Sequence, residues 1–130
     1  MKKIISILLF LFCLSNSYAQ KPIAIYRVKS FNVNFEGRWS TGEYKGMIFL
    51  YEDKIVNRSD TGEAEFIIAG KVENFNDSDG IKWVTFECLN EDLDACIIAF
   101  TYSKEFRRRC MYIMYTTHQV CYIIKDDDEY

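Results

Sequence analysis

The stretch IKWVTFECLNEDLDACIIAF, from Ile81 to Phe100, decides how this chain folds. Two runs of alternating residues flank the polar segment Asn90–Asp94, which reads as a turn. Folded about that turn, Val84 faces Phe100, Phe86 faces Ile98, and Cys88 faces Cys96. One face of the hairpin is then apolar throughout and ends in two facing cysteines. Trp83, Thr85 and Glu87 point the other way, because successive side chains of a strand alternate between its faces.

The neighbouring segments extend the same sheet. Glu65–Glu73 alternates, with Phe66, Ile68 and Val72 on one face and Gly70 between them. With Val72 set opposite Val84, Gly70 meets Phe86 and Ile68 meets Cys88 across the Asn76–Gly80 turn. Toward the N-terminus, Ile23–Phe35 changes phase. Tyr26 and Val28 share one parity, and Phe31, Val33 and Phe35 share the other, so a bulge is expected near Lys29–Ser30. Glu36–Gly42 reads as a loop, Met47–Tyr51 and Ile55–Arg58 as strands joined at Glu52–Asp53, and Ser59–Gly62 as the next turn.

Beyond the central hairpin, Cys110–Thr116 and Val120–Lys125 read as strands. Between Ser103 and Met114 the pattern is ambiguous. Phe106, Cys110, Ile113 and Met114 also fit helical spacing, with Ser103 as a cap. The Tyr, Ile and Thr content after Cys110 favours a strand preceded by one short helical turn. The fold expected is all-β: a single antiparallel small barrel or sandwich of about seven or eight strands.

Residues 1–19 read as a cleaved export signal. Lys2 and Lys3 precede an apolar run, Ile4–Leu14, too short to span a bilayer, and Ser17-Tyr18-Ala19 sets small residues before a cut at Gln20. Phe12 stands before Cys13 where lipidation would require a small residue. The division expected is 1–19 signal, 20–125 a single β domain, and 126–130 an acidic, disordered tail. Without Lys2 and Lys3, 14 basic residues face 19 acidic ones, a net charge of −5. That balance argues against nucleic acid or an anionic membrane as partner. No later segment is long and apolar enough to be an integral membrane helix. A secreted or periplasmic protein follows.

Four cysteines remain after the signal: Cys88, Cys96, Cys110 and Cys121. An even count in an exported chain reads as disulfides, and the hairpin register favours Cys88–Cys96 with Cys110–Cys121 among three connectivities. Loop closure would make the two bridges worth about 2.6 and 2.8 kcal/mol. A zinc site is disfavoured by the absence of C-x-x-C spacing. A calcium loop is excluded at Asp77–Gly80: counting back from Gly80 sets Phe75 at the first ligand position, and Phe86 where the bidentate Glu belongs. Asn90–Asp94 is explained as a polar hairpin loop.

Gly37-Arg38-Trp39 resembles the Gly-x-Trp motif of lipocalins. The resemblance implies a ligand-binding β-barrel with one end closed at this motif. Trp39, Trp83, Tyr51 and Tyr112 are the candidate ligand-lining residues, since Tyr and Trp combine an apolar body with a polar tip. Lys104, Arg107, Arg108 and Arg109 form a basic loop that could dock an anion or a carboxylate-bearing partner. His118 is the single histidine, no Gly-rich phosphate loop is present, and no catalytic residue, metal or cofactor is expected. The function expected is non-catalytic binding of a small apolar ligand. The alternative is a protein–protein interaction or inhibitor domain that uses an aromatic strand face and the basic loop.

Overall fold

The structure, a computed structural model, describes residues 20–126. The expected signal and the end of the acidic tail lie outside them. Eight strands run in chain order: β1 (Ala24–Phe35), β2 (Arg38–Leu50), β3 (Lys54–Ser59), β4 (Gly62–Asn76), β5 (Lys82–Leu89), β6 (Ala95–Ser103), β7 (Arg108–Met114) and β8 (His118–Ile124). Each pairs antiparallel with its neighbour in sequence, and β1 pairs with β8 to close a barrel. Short connections force this meander, because a two- to five-residue link leaves the next strand nowhere to pair but beside the last.

The central hairpin has the expected register. Val84 lies opposite Phe100, Phe86 opposite Ile98 and Cys88 opposite Cys96. Those residues point inward, joining Val28, Ile48, Ile55, Phe66, Met111 and Ile113 in one core. Ile48, Ile55, Ile98 and Met111 are wholly enclosed, as an eight-stranded barrel requires, since its bore is just wide enough for side chains to fill.

The phase change in β1 is a bulge between Val28 and Ser30, seen against both β2 and β8. It turns Tyr26, Val28, Phe31 and Val33 to one side despite the slip in parity. The structure departs from the sequence pattern at three places. The loop expected at Glu36–Gly42 is only a two-residue turn, Glu36–Gly37, and β2 begins at Arg38. Both turn residues have positive φ, 54° and 80°, the geometry whose twist matches paired strands. The register beyond Ile68 also shifts: Ile68 meets Cys88, but Val72 meets Phe86 rather than Val84. Ala69–Lys71 bulge out there, and any side chain at Gly70 would collide with the Glu87 carboxylate. Finally, Lys104–Arg107 make a turn rather than a helical one, with Ser103 Oγ accepting from the Phe106 N–H at 3.3 Å. The β-branched and aromatic residues of β7 carry the chain straight back into the sheet.

Candidate functional site

A meander places alternate loops at opposite ends. The β1–β2, β3–β4, β5–β6 and β7–β8 connections ring one mouth of the barrel, and a recess of about 670 Å³ opens there. Its floor is built by inward side chains of β4, β7 and β8: Phe66, Ile113, Val120 and Tyr122. Beneath them lies a buried polar group. Tyr44 Oη donates to Asn57 Oδ1, and Asn57 also bonds Tyr122. Asn57 is 4% exposed, so its amide is held out of water by the two tyrosines and the surrounding apolar wall. Burial, then the neighbouring Tyr44, pushes the Tyr122 hydroxyl up to about 12. Phe31 packs against both Tyr44 and Tyr122, with ring centroids 6.0 and 6.4 Å away, which locks the trio.

The rim is polar and held by local geometry. Asn90 Oδ1 accepts from the N–H groups of Asp92 and Asp94 at 3.0 and 2.8 Å, folding the β5–β6 loop on itself. Tyr115 and His118 stack at 4.7 Å across the β7–β8 turn, which closes through a Tyr115 N–H to His118 carbonyl bond. Burial raises the Tyr115 hydroxyl, a hydrogen bond with Asn90 opposes that rise, and Asp94 and Asp92 add to it. The recess is thus apolar below, with hydrogen-bonding groups above and at its base. Such a site suits a small apolar body bearing a polar end.

The four lining candidates lie elsewhere. Trp83 and Tyr112 stand on the outer wall, stacked at 6.1 Å, with Phe75 stacked on Trp83 from the other side at 6.0 Å. Trp39 is also on the outer wall, edge-on to Phe106 at 5.4 Å, rather than closing an end. Tyr51 lies at the β2–β3 turn beneath the Lys54 ammonium. The period-2 pattern separated inward from outward residues correctly, but the tryptophans belong to the outward set. What could have pointed to the mouth was the Tyr115/His118 pair in a turn, next to apolar Ile113 and Val120. A second concavity, about 560 Å³, lies on the outer wall where β4 bulges from β5, bordered by Leu89, Ile97 and Met114.

The basic loop does not converge on one point. Arg108 and Arg109 are adjacent on a strand and so face opposite sides. Lys104 pairs with Asp79, Arg108 Nη2 lies 3.6 Å from Asp126, and Arg109 donates to the Lys125 carbonyl at 3.2 Å. The Asp77–Gly80 segment is explained as a turn. Asp77 accepts from the Trp83 indole at 3.1 Å and from the Ile81 and Asp79 N–H groups, which hold its carboxyl below the usual range, the indole bond foremost.

Both expected cysteine pairs are brought together, and all four are free thiols in the structure. Cys88 faces Cys96 inside the barrel, where burial and the neighbouring sulfur push the Cys88 thiol up to about 12. Cys110 and Cys121 touch on the outer wall. Their mutual hydrogen bond lowers Cys110 and raises Cys121, which burial raises further. Among the described residues no three His, Cys, Asp or Glu side chains converge on a metal position, and no helix is long and apolar enough to cross a membrane. Comparison with known proteins returns no matching family model, curated protein or solved structure.

Proposed function

We propose that this small barrel is a binding protein whose mouth takes a small apolar ligand, with the ligand's polar end held by hydrogen bonds. The observation that carries the reading is the recess of about 670 Å³, floored by Phe66, Ile113, Val120 and Tyr122 and rimmed by Tyr115 and His118. Burying an apolar body there gains about 25 cal/mol for each Å² removed from water. A ligand that also hydrogen-bonds the rim is favoured, because rim polar groups such as Thr116 and His118 lose water when the mouth fills, and a buried polar group left unpaired costs about 1–3 kcal/mol. A neutral apolar fluorophore should brighten on binding, and Val120→Trp should abolish the effect by filling the floor. Trp83→Ala, on the outer wall, should leave it intact. No brightening, or brightening that survives Val120→Trp, would defeat the reading.

The same proposal includes export. A basic and apolar start followed by Ser17-Tyr18-Ala19 supports it, and so does the juxtaposition of two thiol pairs. In an oxidising compartment each pair would lose two hydrogens to a disulfide donor and close. Protein recovered from that compartment should weigh less than its reduced form by four hydrogens, two per bridge. Equal masses would remove both bridges.

A second reading has its own observation. Phe75, Trp83 and Tyr112 form a continuous aromatic stack on the outer wall, and Phe75 is 47% exposed. An exposed ring such as Phe75, backed by the Trp83–Tyr112 stack, is of the aromatic kind enriched at surfaces that meet another protein.

A further inference from the structure

The barrel is closed, but β4 is longer than its neighbour. β3 pairs only with the Gly62–Ile67 half of β4, and the last backbone bond on that side runs from the Ile68 N–H to the Asp53 carbonyl. From Ala69 to Asn76 the strand has β5 on one flank and, among the described residues, no strand on the other. Every residue of that segment is exposed, Val72 at 46% and Phe75 at 47%. An unpaired strand edge is a row of unmet donors and acceptors, and most proteins blunt theirs with charge, proline or a cover. Here the edge carries a lysine and a glutamate two residues apart.

We propose that this edge pairs with the same edge of a second copy of the chain, antiparallel about a two-fold axis at Val72. The hydrogen-bonding phase permits it. The Asp77 N–H bonds the Ile81 carbonyl, so by alternation the N–H and C=O of Val72 and Asn74 turn away from β5, toward the open flank. The charges choose the register. An axis at Val72 sets Lys71 opposite the partner's Glu73, twice over by symmetry. Moving the axis one residue either way sets lysine against lysine or glutamate against glutamate, which is repulsive at this separation. The same register lays the Phe75 ring beside the partner's Ala69, a small residue that leaves it room. Lys71 and Glu73 already attract one another along the strand, 3.5 Å apart, and would exchange that contact for two across the axis. One short strand pair buries less than the roughly 1,200 Å² at the lower bound of standard interfaces, so the dimer is weak and reversible.

Sedimentation across micromolar to submillimolar concentration tests this on the whole protein. The unaltered chain should dimerise. Lys71→Glu and Glu73→Lys should each weaken association by about tenfold or more, and the double reversal should restore it, because the pairs re-form with signs exchanged. Val72→Cys guards against a variant that misfolds: at the axis it should cross-link to its own copy under mild oxidation, whereas Glu63→Cys, on the half of β4 already covered by β3, should not. A chain that stays monomeric, including one whose β4 edge takes up an unrelated peptide instead, overturns the proposal. So does a dimer indifferent to the single reversals, or one the double reversal fails to rescue.

Discussion

Phe86 shows what a single residue contributes. It is 8% exposed and packs edge-on against Phe100 at 5.9 Å inside the bore. Phe86→Ala should lower stability by about 3–5 kcal/mol, read by chemical denaturation, because the filled interior cannot collapse onto the void. Trp83→Ala, on the outer wall, should cost about 1–2 kcal/mol. If the two costs were reversed, the inward and outward sets would be misassigned. Titration makes a second residue-scale prediction, best checked in reductant. Cys88 is raised from 9.0 to about 12 and Tyr122 from 10.0 to about 12, both chiefly by burial. Above pH 9 the unfolded chain loses these protons while the folded one keeps them. Stability is therefore fully present below pH 9 and falls as pH rises toward 12. A urea midpoint that holds steady over that range would contradict the burial of both groups. These inward residues were legible from sequence because Val84, Phe86 and Cys88 obey a strict period of two. The outward placement of the tryptophans was less legible, because a large aromatic ring suits a core, a pocket or an outer wall equally well.

At the scale of elements, local pattern located the strands and missed two joints. Burial alternates along β2 from Gly42 onward, but Arg38–Lys45 hides this in sequence because the inward position at Gly42 is left bare by the Phe31 ring, which a Cβ there would strike. The strand state of that half comes from the tight turn before it. Glu36 is poorly suited to its φ of 54°, a region that favours Asn or Gly. Glu36→Asn should therefore stabilise the hairpin by about 0.5–1 kcal/mol, and Gly37→Val, at φ 80°, should destabilise it by at least as much. Thermal melts of the two variants would show it, and shifts of the same sign would argue against the turn. The β4 bulge was unreadable for a different reason. A period-2 pattern does not register two extra residues, and only the collision awaiting a side chain at Gly70 explains why glycine stands there.

For the whole molecule, alternation alone fits a sandwich as well as a barrel, since both bury one face of each strand. Closure depends on β1 meeting β8, a pairing of chain ends such as Val33 with Val120 that no local signal encodes. The mouth was missed for the same reason: Phe66, Tyr115 and Val120 become neighbours only once the ring is shut. Removing β8 should accordingly abolish cooperative unfolding and ligand binding together, rather than trimming either. Ring closure and the recess it creates meet in one measurement, a titration of the isotopically labelled protein with a neutral apolar fluorophore, followed by NMR. Binding in the mouth should shift Phe66, Ile113, Val120, Tyr122, Tyr115 and His118, leaving Trp83 and Tyr112 unmoved. Shifts confined to the outer wall, or none at saturating fluorophore, would rule that binding out.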